Sequence, residues 1–257
     1  MGASIAFATD LVARRAEGGV VEPADGYRIV RTPANRAFRW GNFLLADAGA
    51  ELRDPGLWAQ RHRDAFPDLD FVAVGVDDAD AQLDETAWIA AGFEVERSVV
   101  LRAPAARVRA GDEDVEELLG DADWDDVLGI ALDEGSDERG YADFERRRTG
   151  AERAACEAGS AVWLGLREGG RIVGALGVLP APGGIARYQN VMTRTAFRRR
   201  GIAGRLVRAG AAVAAGRWRC TDLVIVADAD GPAIGLYRRL GFQDAETQVQ
   251  LTRMPAS

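Results

Sequence analysis

The stretch that decides the fold is Arg187–Phe242, RYQNVMTRTAFRRRGIAGRLVRAGAAVAAGRWRCTDLVIVADADGPAIGLYRRLGF. Residues Tyr188–Thr193 have the composition of a short strand, and Arg198–Gly204 form a basic turn that contains glycine. Arg205–Ala215 is rich in alanine and valine and free of proline, which predicts a helix. The apolar run Leu223–Val226 predicts a buried strand. The order strand, turn, helix, strand indicates an α/β domain.

The basic turn has the features of an anion site. Gly201 and Gly204 let the backbone approach a ligand closely. The first N–H groups of the following helix have no partner within the helix, so they suit a diphosphate. Arg198, Arg199 and Arg200 add positive charge at the same place. The turn is neither a Walker loop, since no Gly-Lys-Ser/Thr follows, nor the Gly-x-Gly-x-x-Gly fingerprint of dinucleotide-binding proteins.

Two motifs in this stretch resemble the GNAT superfamily of N-acetyltransferases. Arg198–Ala203, RRRGIA, is similar to the family signature Arg/Gln-x-x-Gly-x-Gly/Ala. Asp230–Phe242, DGPAIGLYRRLGF, resembles the later helix of that family and its closing Leu-Gly-Phe, in the same order and at the same spacing. The resemblance implies an α/β (α+β) fold with a mixed, mostly antiparallel central sheet flanked by helices. It also implies acetyl-CoA as co-substrate.

The resemblance assigns roles to individual residues. The backbone of Val191 and Thr193 would pair with the pantetheine arm, and the amides from Arg199 to Gly204 would hold the diphosphate. Tyr237 matches the tyrosine that acts as general acid toward the sulfur, and a phenol stays protonated at neutral pH. The full set of expected cofactor-binding residues is Val191, Met192, Thr193, Arg198, Arg199, Arg200, Gly201, Ile202, Ala203, Gly204, Asp230 and Ala233.

Two positions in this part of the chain leave alternatives open. Asp230 stands where many family members carry asparagine, and its carboxylate suits helix capping better than contact with phosphates. The general base is not specified, because Tyr188, Gln189 and Asn190 on the strand before the turn are poor bases. An acidic residue between Asp121 and Asp137 is the alternative, acting directly or through water.

The acidic region Asp112–Glu138 has two interpretations. Its carboxylates form either the wall of a pocket that attracts an amine or a solvated helix face with acidic helix starts. We favour the solvated face.

Composition excludes several classes of protein. The 257 residues carry a net charge of −8, which argues against nucleic acid as the main partner. Cys156, Cys220 and the lone His62 match no metal spacing, so we expect no metal and a reducing compartment. The N-terminus has neither a secretory signal nor a myristoylation signal, and no apolar run has the length of a membrane span. These features predict a cytoplasmic monomer or homodimer.

An internal repeat extends the analysis to the first half of the chain. Phe71–Asp78, a helix and Trp88-Ile-Ala-Ala-Gly-Phe93 echo Leu223–Asp230, a helix and Tyr237-Arg-Arg-Leu-Gly-Phe242. The repeat predicts two GNAT-like domains in tandem, 1–103 and 104–257, with a junction at Ala103–Ala106. The first domain lacks the basic turn and has Trp88 in place of Tyr237, so we expect it to be degenerate and without acetyl-CoA.

One further stretch of the first half has two interpretations. Arg39–Phe43, RWGNF, resembles a feature of some tandem bacterial members of the family. It is either a turn that leads into a core strand or a part of the substrate site.

These observations predict an acetyl-CoA-dependent N-acetyltransferase that acts on a primary amine of a small molecule or peptide. The amine would attack the bound thioester directly, with Tyr237 as general acid. The alternatives are a non-catalytic acyl-CoA-binding regulatory module and an acyltransferase that uses a longer acyl-CoA.

Overall fold

The computed structural model describes residues 3–81, 83–108, 114–133, 135 and 140–255. Its helices are α1 Ile5–Ala16, α2 Pro55–Ala65, α3 Glu85–Ala90, α4 Ala105–Val108, α5 Asp121–Asp133, α6 Tyr141–Glu157, α7 Ile202–Trp218 and α8 Ile234–Arg239. Its strands are β1 Val20–Ala24, β2 Tyr27–Arg31, β3 Phe43–Ala46, β4 Val72–Val76, β5 Glu94–Pro104, β6 Glu116–Glu117, β7 Val162–Glu168, β8 Arg171–Ala181, β9 Ile185–Thr193, β10 Asp222–Asp228 and β11 Gln243–Arg253. Among the described residues, no helix combines the length and the apolar character that crossing a membrane requires.

The chain divides into two compact units, Met1–Val100 with Ala245–Ser257 and Leu101–Asp244. The predicted domains divide the chain near the same point, at residue 103. They differ at the C-terminus, because the contacts of Ala245–Ser257 assign most of β11 to the first unit, whereas the predicted second domain runs to residue 257. The assignment of the two parts as GNAT-like halves stays a prediction.

In the first unit the strands follow the order β1-β2-β3-β4-β11-β5. The pairs β1–β2, β2–β3 and β4–β11 are antiparallel, whereas β3 and β4 are parallel. Trp58 on α2 and Trp88 on α3 are at most 1% exposed and pack with Phe93 in the core of this unit. Burial of such large apolar surfaces holds the two helices against the sheet.

In the second unit the strands follow the order β10-β9-β8-β7-β6. All neighbours are antiparallel except β9 and β10, which are parallel. Strands β7 and β8 form an antiparallel hairpin, and glycines of β8 allow close packing. A Cβ atom on Gly174 would lie 2.5 Å from a side-chain carbon of Ile202, and one on Gly177 would lie 2.8 Å from Trp163. The mixed, mostly antiparallel sheet flanked by helices confirms the predicted fold class.

The stretch Arg39–Phe43 is a turn that leads into a core strand. Asn42 holds this turn, because its Oδ1 accepts a hydrogen bond from Thr32 N at 3.0 Å and its Nδ2 donates to the carbonyl oxygens of Asn35 and Phe38, each at 2.9 Å. These bonds satisfy backbone groups of an irregular loop, which supports the structural interpretation of this stretch.

Candidate functional site

Strands β9 and β10 separate soon after they begin. Their parallel pairing covers Asp222–Val224 against Ile185–Arg187, although β9 continues to Thr193 and β10 to Asp228. Beyond Arg187 the peptide groups of β9 that point toward β10 therefore have no strand partner. The gap, here called the wedge, is a cavity of about 390 Å³ lined by residues 187–191, 225–228, 231–233 and 237.

A β-bulge interrupts β9 beside the wedge. The register with β8 skips from Met192 opposite Ala175 to Gln189 opposite Gly177, so β9 has one extra residue at this point. Asn190 in the bulge has φ of 47°, which is uncommon for a residue other than glycine. The bulge removes Asn190 and Val191 from regular pairing, and both line the wedge.

The basic turn after β9 ends at the start of helix α7. Arg199 and Gly201 have φ of 66° and 79°, and Gly201 precedes the first helical residue. The first intrahelical bond runs from Arg205 N to Gly201 O at 3.1 Å, and no side chain caps the helix. The N–H groups of residues 202–204 therefore have no acceptor within the helix. This is the arrangement that the sequence predicted for a diphosphate.

The three arginines of the turn lie at the surface, and Arg198 and Arg200 have partners among the described residues. Arg198 Nε donates to Thr193 O at 3.2 Å. The guanidinium of Arg200 lies 4.8 Å from the ring centroid of Phe197, and its Nη1 lies 3.6 Å from Glu168 Oε2. All three are exposed, so their charge is available near the helix start.

Tyr237 on α8 also lines the wedge. Its side chain is buried at 4% exposure, and burial raises the pKa of its hydroxyl from 10.0 to about 12. No hydrogen bond to this hydroxyl is found within the part of the chain that the structure describes. Tyr188 differs, because its hydroxyl donates to Val207 O at 2.8 Å. Tyr237 is therefore the tyrosine whose proton can be directed at a ligand in the wedge.

The remaining predicted site residues lie in three places. Val191 and Ala233 line the wedge, and Met192 lines a second cavity described below. Asp230 is exposed in the loop before α8, outside the wedge lining. The possible capping role of Asp230 is wrong, because α8 begins after Ala233 without a side-chain cap. The Asp228 carboxylate instead accepts from Asp230 N at 3.0 Å.

A second cavity, here called the glutamate cavity, adjoins the wedge. It has a volume of about 240 Å³ and is lined by α6 residues, including Glu145, Arg148 and Glu152, and by Asn190–Met192 of β9. Both glutamates are 5% exposed. Sequence reasoning missed this pair, although their spacing of seven residues with an arginine between them indicates one face of a helix.

The described residues of the acidic region mostly form ion pairs on α5 and its start. Asp123 lies 2.6 Å from Arg167, and Asp133 lies 2.8 Å from Arg194. Burial alone would raise the pKa of Asp126, but the Ile172 N–H, Arg171 and Arg194 lower it below its ordinary value. None of these carboxylates lines the wedge, so the expected base between Asp121 and Asp137 has no support among the described residues. Glu134 and Asp137 lie outside them.

The model of the GNAT acetyltransferase family matches residues 124–242. This segment contains the wedge, the basic turn, α7 and Tyr237. Residues 124–242 belong to the GNAT acetyltransferase family. The GNAT domain thus falls in the half of the chain that the motifs indicated, and its function class is acyl transfer from acyl-CoA. No curated protein matches the sequence.

Solved structures share the fold of the whole chain, including the part outside the GNAT match. A functionally unknown conserved protein from Staphylococcus epidermidis has a TM-score of 0.75 and 14% identity, with 93% of this chain and 95% of that chain covered. A GCN5-related N-acetyltransferase from Kribbella flavida has a TM-score of 0.67 and 16% identity, with 100% and 97% covered. A tandem GNAT protein from the clavulanic acid biosynthesis pathway has a TM-score of 0.54 and 13% identity, with 100% and 98% covered.

The first unit shares a local hydrogen bond with the GNAT domain, but its described parallel strands do not separate as β9 and β10 do. Phe93 N bonds to Trp88 O at 3.0 Å, as Phe242 N bonds to Tyr237 O at 3.1 Å. Parallel strands β3 and β4, however, stay paired from Leu44 to the end of β3, and the ladder continues through Asp77 N to Ala46 O at 2.9 Å. Trp88 is wholly buried and donates its indole N–H to Leu52 O at 2.9 Å. That this half binds no acetyl-CoA stays a prediction.

Proposed function

We propose that this protein is an N-acetyltransferase that moves the acetyl group of acetyl-CoA to a primary amine, with Tyr237 as general acid. The observation that carries the proposal is the wedge itself. It is lined by the open edge of β9 and by a buried tyrosine whose hydroxyl has no partner among the described residues. The uncapped start of α7, beside three arginines, follows β9 in the chain.

The wedge residues fit a thioester with a long amide-containing arm and a diphosphate. The unpaired peptide groups of β9 beyond Arg187 can exchange hydrogen bonds with the amides of such an arm. Gln189 lines the wedge, and its Nε2 is buried without an acceptor among the described residues. A buried donor without a partner is costly, so a ligand carbonyl is a suitable acceptor for it. The amides of residues 202–204 suit the diphosphate.

The reaction forms one bond and breaks another. The neutral amine nitrogen bonds to the acyl carbon, the carbon–sulfur bond breaks, and the thiolate becomes a thiol. The amine loses one proton to the medium, and the sulfur gains one through the Tyr237 hydroxyl, which the medium then reprotonates. The wedge contributes by holding the carbonyl and the amine together, because positioning lowers the entropic cost of a reaction between two molecules.

The pKa of Tyr237 refines its role. A free thiol titrates near ~8.5, so full transfer of a proton from a phenol with a pKa of about 12 to a thiolate is uphill by about 5 kcal/mol. We therefore expect the Tyr237 hydroxyl to stay protonated up to about pH 10 and to transfer its proton to the sulfur only together with its own reprotonation by the medium.

The test replaces Tyr237 by phenylalanine. We expect kcat to fall on the order of 100-fold, since one hydrogen-bond donor to developing charge is lost, while the Kd for CoA changes little. Steady-state kinetics with acetyl-CoA and a panel of primary amines measures the first quantity, and calorimetry measures the second. Tyr27→Phe is the matched control, because it removes a tyrosine hydroxyl in the first unit and Tyr27 does not line the wedge.

Two outcomes would contradict the proposal. An unchanged kcat in Tyr237→Phe would remove the tyrosine from the mechanism. Tight CoA binding without turnover of any amine or acyl donor would favour the non-catalytic binding module. A donor panel of acetyl-, propionyl- and longer acyl-CoA separates acetyl transfer from transfer of a longer chain.

A further inference from the structure

The glutamate cavity and the wedge meet at the bulge of β9. Asn190 and Val191 line both cavities. The Asn190 side chain also joins the bulge to α6, because its Nδ2 donates to Glu152 Oε1 at 2.5 Å and its Oδ1 accepts from Arg148. An acceptor in the glutamate cavity would therefore reach the place where the wedge would present the acyl carbon.

The charges of the described residues that line the glutamate cavity do not balance. Glu145, Arg148 and Glu152 carry two negative charges and one positive charge, which leaves one negative charge at a mostly buried place. Arg148 Nε lies 3.3 Å from Glu152 Oε1, whereas its Nη1 lies 3.6 Å from Glu145 Oε1. Glu152 thus has Arg148 and Asn190 as close partners.

Glu145 is the carboxylate that remains poorly compensated. Its side chain is 6% exposed, and no hydrogen bond to it is found among the residues that the structure describes. Among the described residues, its only ion pair is with Arg148, and the 3.6 Å between Nη1 and Oε1 is longer than a hydrogen bond. A buried carboxylate without hydrogen bonds is unfavourable, so this group suits a ligand that brings a cation.

We propose that the glutamate cavity is the acceptor site and that Glu145 selects primary amines that carry a second cationic group and no carboxylate. This inference rests on the proposed function. The reacting amine must be neutral when it attacks, so it cannot cancel the excess negative charge, whereas a second ammonium can. Glu145 and Glu152 lie two helical turns apart, about 10 Å along the axis of α6, which suits a short aliphatic diamine with its reacting end toward Asn190.

The test compares three probes with acetyl-CoA: 1,5-diaminopentane, 1-aminopentane and 6-aminohexanoate. We expect kcat/KM to be at least about tenfold higher for the diamine than for the monoamine, and lowest for the aminocarboxylate, because one well-placed charge pair is worth about a factor of ten. In Glu145→Gln the ratio of the diamine value to the monoamine value should fall about tenfold. Glu157→Gln is the control, since Glu157 is an exposed residue of the same helix that pairs with Arg153.

A binding measurement separates this inference from the proposed function. Calorimetry of 1,5-diaminopentane with protein saturated with CoA involves no reaction, and Glu145→Gln should weaken the binding about tenfold. Diamine binding that depends on Glu145, without acetylation of any probe, would support the site and contradict the proposed enzyme. Acetylation of diamine and monoamine at equal kcat/KM, or an equal loss for both in Glu145→Gln, would overturn the acceptor assignment and leave the enzyme standing.

Discussion

His62 is the single histidine of the chain, and its ring is wholly buried in the first unit. The ring centroid lies 4.7 Å from that of Phe66 and 5.9 Å from that of Phe71. The Asn42 carbonyl oxygen lies 3.4 Å from Nε2, so this nitrogen carries the proton, while Nδ1 has no partner among the described residues. Burial lowers the pKa of His62 from 6.5 to about 4.

This residue gives a prediction about stability and pH. The folded protein favours neutral His62, so the stabilisation is complete above the unfolded value of 6.5 and is lost as the pH falls from 6.5 to about 4. The loss amounts to about 3 kcal/mol at most. Because the chain has one histidine, its imidazole signal in an NMR titration can be assigned directly, and the titration should have its midpoint near pH 4.

Urea unfolding of His62→Phe provides the comparison. The difference in unfolding free energy between wild type and variant should vary with pH between 6.5 and 4 and be constant above 6.5. A midpoint near 6.5 in the NMR titration would mean that the ring is exposed to water.

At the scale of elements, the start of α7 is the part of the site that one substitution can test. Gly201→Asp places a carboxylate beside the amides of residues 202–204, where an anion is expected to bind. We expect CoA affinity, measured by calorimetry, to fall at least about 100-fold, since repulsion replaces an attractive site.

Gly18→Asp is the control for backbone strain. Gly18 has φ of 83° against 79° for Gly201, and in both cases no heavy atom lies within 4 Å of an added Cβ. The two variants therefore carry the same new charge on similarly strained backbone. Equal effects of the two on CoA affinity would mean that strain, and not the anion site, causes the loss.

At the scale of the whole molecule, the two halves differ in how far their parallel strands stay paired. Strands β9 and β10 part after three paired residues, whereas the shorter β3 stays paired with β4 to its end. We therefore predict one acyl-CoA site per chain, in the GNAT domain. Calorimetric titration with acetyl-CoA should give a stoichiometry near one that becomes unmeasurable in Gly201→Asp, whereas two sites would show that the first half binds the cofactor as well.

The sequence by itself determined the order of elements and the chemistry of the turn. The apolar run of β10, the proline-free α7 and the glycine at φ of 79° before it are local features, because each depends on neighbours within a few residues. The internal repeat likewise indicated a shared local structure, which both Trp88-x-x-x-Gly92-Phe93 and Tyr237-x-x-x-Gly241-Phe242 adopt. By contrast α1, with Phe7 and Leu11 buried, was not predicted from its alanine-rich sequence.

Only the tertiary structure decided where the wedge opens and which carboxylates line the glutamate cavity. The separation of β9 from β10 and the bulge at Asn190 depend on register between strands that are distant in the sequence. Asp126 and Glu145 are both acidic helix residues. The Asp126 carboxylate accepts hydrogen bonds from Arg171, Arg194 and Ile172 N, whereas Glu145 lines the glutamate cavity. Residue type and spacing are similar in the two cases, and only packing against β8 and β9 distinguishes a structural carboxylate from one available to a ligand.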